Sequence, residues 1–294
     1  MSKLFNPGHT ACAGCGQSMA ARLVIEAAGP NTIVANNTGC LEVFSTKYPE
    51  SAWGVPFIHS LFENSAAVAS GVESALKYLG KKDGINVIAE AGDGGTADIG
   101  LQALSGMLER GHDILYICYD NEAYMNTGVQ RSGLTPFDTN TTTSPAGSKS
   151  VGNLRPKKPM PEIANAHGIP YVATASAAFP PDIQRKVKKA LSIKGPKYLQ
   201  IHVPCPLGWR HETNLTIQVA KLAVETGLYP LIEYDNGILT SRKIVPKPVE
   251  EYLKPQGRFK HLLNNPQEIK KIQQIADENI KKYGLKAETQ AAAT

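Results

Sequence analysis

No apolar run in this 294-residue chain approaches the ~18 residues of a membrane-crossing helix, so no membrane span is expected. The leading segment Met1-Ser2-Lys3-Leu4-Phe5-Asn6-Pro7 lacks the hydrophobic stretch of a secretory signal, and a cytoplasmic protein is expected. Cysteine is scarce and odd in number: Cys12, Cys15, Cys40, Cys118 and Cys205. Without a signal segment, five thiols argue against a disulfide framework. Aromatics are only 7% of residues and do not interleave with a basic stripe, so nucleic acid is not an expected partner. Internal repeats and low-complexity segments are also missing.

What is present is a globular composition. An apolar fraction of 42% suffices for a core, and 26 glycines and 20 prolines imply many turns. The length suits one core domain with an extension, expected at residues 1–212 and 213–294. The net charge of +5 is unevenly spread: residues 242–286 hold 11 Lys/Arg against 5 Asp/Glu, while the remainder balances at 20 against 21. Such a tail reads as a solvated Lys-rich helix or as a docking face for an acidic partner.

Hydrophobic spacing predicts helices over 17–28, 64–79, 97–109, 181–192 and about 266–283. Strands are expected over 32–35, 85–90, 113–119, 171–174 and 198–203. Residues 127–160, rich in Thr, Ser, Gly and Pro, show no period and read as a functional or interface loop. Beyond residue 213 the pattern fades until the last helix. Strands alternating with helices imply an α/β fold, a parallel sheet with helices on both faces. In such sheets ligands bind at the carboxyl ends of the strands.

Two chemical groupings fall at those ends. Gly92-Asp93-Gly94-Gly95-Thr96 follows a strand and opens a helix. Its glycines let backbone N–H groups approach a phosphate, and Asp93 can ligate a hard cation. Alone, such a turn is more often only a turn. One strand–helix–strand step later, 28 residues on, Asp120-Asn121-Glu122-Ala123 ends the next strand. The Asp93 carboxylate, the Asn121 amide oxygen and the Ala123 carbonyl would give three oxygen ligands. Diphosphate oxygens and water would complete an octahedron suited to Mg²⁺.

Gly92-Asp93-Gly94 followed by Asn121 resembles the motif of thiamine diphosphate-dependent enzymes. The run Tyr124-Met125-Asn126-Thr127-Gly128 is similar to that of the 2-oxoacid:ferredoxin oxidoreductases, in which the matching asparagine, here Asn126, lies by the thiazolium. Without that context Asn126 is a turn residue. The resemblance assigns Gly39, Glu63, Asn64, Gly92, Asp93, Gly94, Gly95, Thr96, Asn121, Asn126 and Thr127 to the cofactor pocket, with Mg²⁺ on Asp93, Asn121 and Ala123. From the residues alone, Glu63 and Asn64 could equally cap the next helix, and Leu61 and Phe62 read as core.

The second grouping is Cys12-Ala13-Gly14-Cys15 before a helix, Cys40 at a strand end and Cys205 within Pro204-Cys205-Pro206. Four thiols on loops could hold zinc or an iron–sulfur cluster, form a thioredoxin-like pair, or be scattered core residues. Cys118, mid-strand, reads as a core thiol. A thiamine site beside the thiols favours electron transfer, which zinc cannot perform. The spacing resembles the β subunits of pyruvate:ferredoxin oxidoreductases over roughly residues 7–215. That resemblance implies a thiamine-diphosphate-binding fold of PP type and a [4Fe–4S] cluster on Cys12, Cys15, Cys40 and Cys205.

It further implies oxidative decarboxylation of a 2-oxoacid, most simply pyruvate, with coenzyme A accepting the acyl group and ferredoxin the electrons. The implied partners are an α subunit supplying the pyrimidine-binding domain and activating glutamate, a γ subunit and a ferredoxin-like δ subunit. Other readings are the same chemistry on 2-oxoglutarate, a branched-chain or aryl 2-oxoacid or oxalate; a zinc-stabilised, non-catalytic binding subunit; and a non-redox thiamine decarboxylase or synthase.

Overall fold

The computed structural model describes residues 3–287; residues 1–2 and 288–294, the outer ends of the two expected segments, lie outside the described residues. Short β-branched and aromatic runs bounded by turns form the strands β1 (Thr32–Asn37), β2 (Phe57–Ser60), β3 (Asn86–Gly92), β4 (Leu115–Asp120), β5 (Ala146–Gly147), β6 (Ser150–Val151), β7 (Tyr171–Ser176), β8 (Lys197–His202), β9 (Ile232–Asp235) and β10 (Ile238–Ser241). The helices are α1 (Gly16–Ala28), α2 (Cys40–Ser45), α3 (Ser65–Tyr78), α4 (Asp93–Ala97), α5 (Leu101–Glu109), α6 (Met160–Asn165), α7 (Pro180–Ser192), α8 (Pro206–Trp209), α9 (Thr216–Glu225), α10 (Val249–Leu253) and α11 (Pro266–Lys282).

Eight strands form one sheet in the order β10-β9-β7-β8-β4-β3-β1-β2. The six from β7 to β2 run parallel, as the alternating pattern predicts. Their central members β4, β7 and β8 are buried along their whole length, because helices cover both faces. Val24, Ile25, Ile183 and Val187 from α1 and α7 pack on one face. Ala69 of α3, Leu104 and Met107 of α5 and Met160 of α6 pack on the other. A third core gathers Trp209, Val219, Leu222, Tyr252, Phe259 and Ile272. Among the described residues, no helix is long and apolar enough to cross a membrane.

Several elements depart from the sequence expectation. The helix expected over 97–109 is broken into α4 and α5. The break falls at Asp98, whose backbone leaves the helical region (φ −114°, ψ −94°), and the close approach of the Gly95 and Glu63 carbonyls leaves room only for glycine at residue 100. The faded region beyond 213 contains α9 and the β9–β10 hairpin, which pairs antiparallel with β7 at the sheet edge. The loop over 127–160 has little regular structure but much side-chain bonding. Asn153 Nδ2 donates to the Thr135, Pro136 and Arg155 carbonyls at 2.9–3.0 Å. In the basic tail, α11 buries Ile272 and Ala276, and Lys271 and Lys282 sit outside in ion pairs with Glu268 and Glu162. Arg258 differs from these: it is only 2% exposed.

Candidate functional site

The loops after β1, β2, β3 and β4 line one cleft at the carboxyl edge of the sheet. Thr38, Gly39 and Cys40 form one wall, Gly92–Gly95 the floor, and Asn121 and residues 123–127 the other wall, with Phe62 and Gln17 at the margins. Parallel pairing sets Gly92 opposite Tyr119, so the residues just beyond each strand meet. Asp93 is buried, and its Oδ2 accepts a hydrogen bond from Ser132 Oγ. The Asn121 side-chain oxygen faces only acceptors: the Ala123 carbonyl at 2.7 Å and Asp93 Oδ1 at 2.9 Å. Rotating the amide turns both contacts into hydrogen bonds, with Nδ2 donating to the Ala123 carbonyl and to Asp93 Oδ1. Burial, and then the neighbouring Asp120, push the Asp93 carboxyl well above the usual range, against the Ser132 bond.

Glycine is required at the floor for steric reasons. A Cβ on Gly94 would run into the Tyr124 ring, and one on Gly95 would come within 2.9 Å of Asn37 Nδ2. Tyr124 is held in place by its hydroxyl, which donates to Asp98 Oδ2 at 3.1 Å. Three buried polar atoms on the cleft wall have no partner: Gln17 Oε1, Asn36 Oδ1 and Asn37 Nδ2. Orphaned groups in such a place call for a polar ligand.

Of the residues expected in the pocket, Gly39, Gly92, Asp93, Gly94, Gly95, Asn121, Asn126 and Thr127 line the cleft, as does Ala123. Thr96, Glu63 and Asn64 are not among its lining residues. The Thr96 hydroxyl is turned inward, donating to the Gly92 carbonyl at 2.7 Å. Asn64 precedes α3 without a capping bond, and its Oδ1 accepts from Ser60 Oγ. The core reading of Leu61 and Phe62 is corrected: Leu61 is 65% exposed and Phe62 lines the cleft, because β2 is an edge strand. Gln17, Asn36, Asn37, Tyr124 and Ser132 were not anticipated. The available signal was polarity out of place: two asparagines ending a buried strand, and a glutamine two residues after a C-x-x-C.

The cysteines gather beside this cleft. The Cys15 N–H donates to the Cys12 carbonyl at 3.1 Å, closing the knuckle, and the Gly16 N–H donates to the Pro204 carbonyl at 3.2 Å, seating it against the Cys205 loop. Gly14 adopts φ +72°, with a Cβ there blocked by the Thr213 carbonyl. Cys40 lines the cleft itself. Burial pushes its thiol up to about 12, and the charges of Cys205, Cys15 and Cys12 add to the rise. Cys205 is pushed up to about 11 by burial, then by Cys15 and Cys12, against the Gly208 N–H bond. The four thiols are therefore within reach of one another's charge. Met125, on the cleft wall, packs on Gly208 next to Cys205. Cys118 is fully buried in the sheet core. Among the described residues, no three His, Cys, Asp or Glu side chains close on a single-ion position.

Comparison with known proteins places these features. Residues 37–201 match the family described as "Thiamine pyrophosphate enzyme, C-terminal TPP binding domain". The chain is 62% identical over 283 residues to "Pyruvate synthase subunit PorB" of Methanosarcina barkeri, spanning 95% of this chain and 96% of that one. It is 52% identical over 273 residues to "Ketoisovalerate oxidoreductase subunit VorB" of Pyrococcus abyssi, over 90% and 88% of the two chains. A similar fold occurs in a 2-oxoglutarate:ferredoxin oxidoreductase from Magnetococcus marinus, with TM-score 0.57 and 22% identity over 74% of this chain and 79% of that one.

Proposed function

The chain belongs to the family of pyruvate synthase β subunits among the 2-oxoacid:ferredoxin oxidoreductases, and on that premise we propose that it binds Mg²⁺–thiamine diphosphate and a [4Fe–4S] cluster. The reaction would be the reversible conversion of pyruvate and coenzyme A to acetyl-CoA and CO₂, with electrons leaving for ferredoxin. The observation that carries the reading is the meeting of the Asn121 side-chain amide with the Ala123 carbonyl at 2.7 Å and the Asp93 carboxylate at 2.9 Å on the cleft. With the amide oxygen turned inward, Asp93, Asn121 and the Ala123 carbonyl would hold Mg²⁺. A cation there would also offset the burial and repulsion that raise the Asp93 carboxyl.

Bound thiamine diphosphate would supply the carbon nucleophile for the keto group and the electron sink for loss of CO₂. The chain's own residues would do the positioning. The Gly94 and Gly95 backbone would receive the diphosphate, and Asn37 Nδ2 and Gln17 Oε1 would gain the partners they lack. Asn126 and Thr127 would lie at the reacting end, and Gly39 would leave the opposite wall open. Cys12, Cys15, Cys40 and Cys205 would hold the cluster, whose iron charge would favour their thiolate forms. The four thiols lie within reach of one another's charge, as ligands of one cluster would.

Cys40 on the cleft wall and exposed Cys12 would mark the two ends of an electron path. The activating glutamate and the remaining clusters would come from α and δ subunits, with a γ subunit completing a cytoplasmic assembly. Relatives named for pyruvate and for ketoisovalerate both exceed half identity, so a branched-chain 2-oxoacid is the second reading.

The test is anaerobic purification of the assembled complex. About four irons per β chain beyond those of the δ subunit's clusters, and pyruvate-dependent, coenzyme A-dependent reduction of methyl viologen, are expected. The isolated chain should be inactive. One zinc without iron would overturn the cluster, and turnover of ketoisovalerate in preference to pyruvate would move the substrate.

A further inference from the structure

The backbone between two of the proposed Mg²⁺ ligands is strained. Glu122, flanked by Asn121 and Ala123, has φ +69°, a left-handed conformation that a glutamate adopts only when its surroundings impose it. Its buried carboxylate meets Arg258 Nη2 at 2.6 Å and Lys157 Nζ at 2.8 Å, with His202 Nε2 at 3.5 Å. Arg258 comes from the segment after residue 213, 136 residues along the chain. It is anchored on its own side by hydrogen bonds from Nε to Gln256 Oε1 and from Nη2 to the Tyr252 hydroxyl, both at 2.9 Å. The same guanidinium lies 3.7 Å from the centre of the Trp209 ring, and Trp209 Nε1 donates to the Asn121 carbonyl at 2.8 Å. One buried side chain thus bears on both sides of the turn: on Glu122 directly, and on Asn121 through Trp209.

We propose that Arg258 is a positioning residue for the cofactor's cation. By holding Glu122 and Trp209 it fixes the turn that aims the Asn121 amide and the Ala123 carbonyl at Asp93. The proposal rests on the Mg²⁺–diphosphate reading given above. Lysine cannot replace arginine here, because it offers neither the planar face for Trp209 nor separate donors for Glu122, Tyr252 and Gln256.

The test uses the assembled complex, stripped of cofactor, with thiamine diphosphate binding followed by tryptophan fluorescence at increasing Mg²⁺. For Arg258→Lys the Mg²⁺ concentration giving half-maximal binding should rise about 10–100-fold, with subunit assembly and iron content unchanged. Glu122→Gln should shift it in the same direction. An unchanged Mg²⁺ dependence in Arg258→Lys, even with a lower melting temperature, would make Arg258 a packing residue only and overturn the proposal. Asp93→Asn separates this from failure of the underlying reading: if Mg²⁺-dependent binding survives in Asp93→Asn, the site itself is misassigned. If it is lost there while Arg258→Lys binds normally, only the positioning role falls. Arg258→Lys retains the charge that the buried carboxylates require, so the test does not depend on the harsher Arg258→Met.

Discussion

The Asn121 side-chain amide lies 2.9 Å from Asp93 Oδ1, although 28 residues separate them. The register of two parallel strands causes this: Gly92 stands opposite Tyr119, and each chain then turns into the same cleft. With Nδ2 turned inward the amide donates to Asp93 Oδ1, while burial and the nearby Asp120 still disfavour the charged form of Asp93. A divalent cation there would favour the charged carboxylate and draw the amide oxygen toward itself.

Asp93→Asn keeps the side-chain volume and removes the charge. Thiamine diphosphate binding to the assembled complex in the presence of Mg²⁺ should weaken at least about a hundredfold, roughly 2.7 kcal/mol, by isothermal titration calorimetry. The cofactor-free complex should melt no lower than wild type, because the variant no longer buries an acid whose charged form is disfavoured. Wild-type retention of the cofactor would remove Asp93 from the ligand set.

The two glycine walls should respond differently to a single methyl group. A Cβ added at Gly39 would meet nothing within 4 Å, whereas one added at Gly94 is blocked by the Tyr124 ring. Gly94→Ala should cost about 1–3 kcal/mol in denaturant unfolding through overpacking and impair thiamine diphosphate binding. Gly39→Ala should leave the fold intact. Gly94→Ala combined with Tyr124→Ala should recover part of the lost stability. Equal effects at both glycines would show that the floor is not sterically fixed.

Cys40→Ser should lower the iron content of the complex by about four atoms per β chain, and Cys12→Ser, Cys15→Ser and Cys205→Ser should do likewise if the four thiols hold one cluster. Cys118→Ala should retain iron and lose only about 1 kcal/mol of stability from a small cavity. Iron analysis and electron paramagnetic resonance of the reduced complex read this directly. A full iron count in Cys40→Ser would exclude it as a ligand.

The sheet and the cleft were legible because their signals are local. The strands expected over 171–174 and 198–203 carry β-branched and aromatic residues bounded by turns, and the structure buries β7 and β8 on both faces. Asp93, Asn121, Cys40 and Cys205 are chemically distinctive residues just past strand ends, and Cys12 and Cys15 stand out by their spacing before a helix. What was missed depends on contacts between distant segments. The helix breaks at Asp98, and the Gly95 and Glu63 carbonyls crowd residue 100, which no helical period records. The β9–β10 hairpin is exposed along β10 and carries little pattern. Phe62 looks like core but sits on a cleft wall, and Arg258 belongs to a Lys-rich stretch that reads as solvated yet is buried against Glu122. Composition describes the stretch as a whole and is blind to one residue turned inward.

Beneath the cleft, Glu90 offers a pH test that is independent of any ligand. It is fully buried, with Tyr119 Oη donating to Oε1 at 2.8 Å and Asn36 Nδ2 to Oε2 at 3.3 Å. Burial outweighs both bonds and pushes its carboxyl up to about 7, from an ordinary value of 4.5. The folded state therefore holds this proton more tightly than the unfolded chain. Its contribution is complete below the unfolded value and is lost as pH rises through the folded one, a change of about 3 kcal/mol across that window. Glu90→Gln keeps the shape and the Tyr119 bond, and once the Asn36 amide rotates its Nε2 can donate to Asn36 Oδ1. The variant should match wild type near pH 4.5 and exceed it by about 3 kcal/mol at about pH 8 in denaturant unfolding. Parallel stability curves for the two proteins would mean that Glu90 is ionised in the native state and that the hydrogen bonds, rather than burial, control its proton.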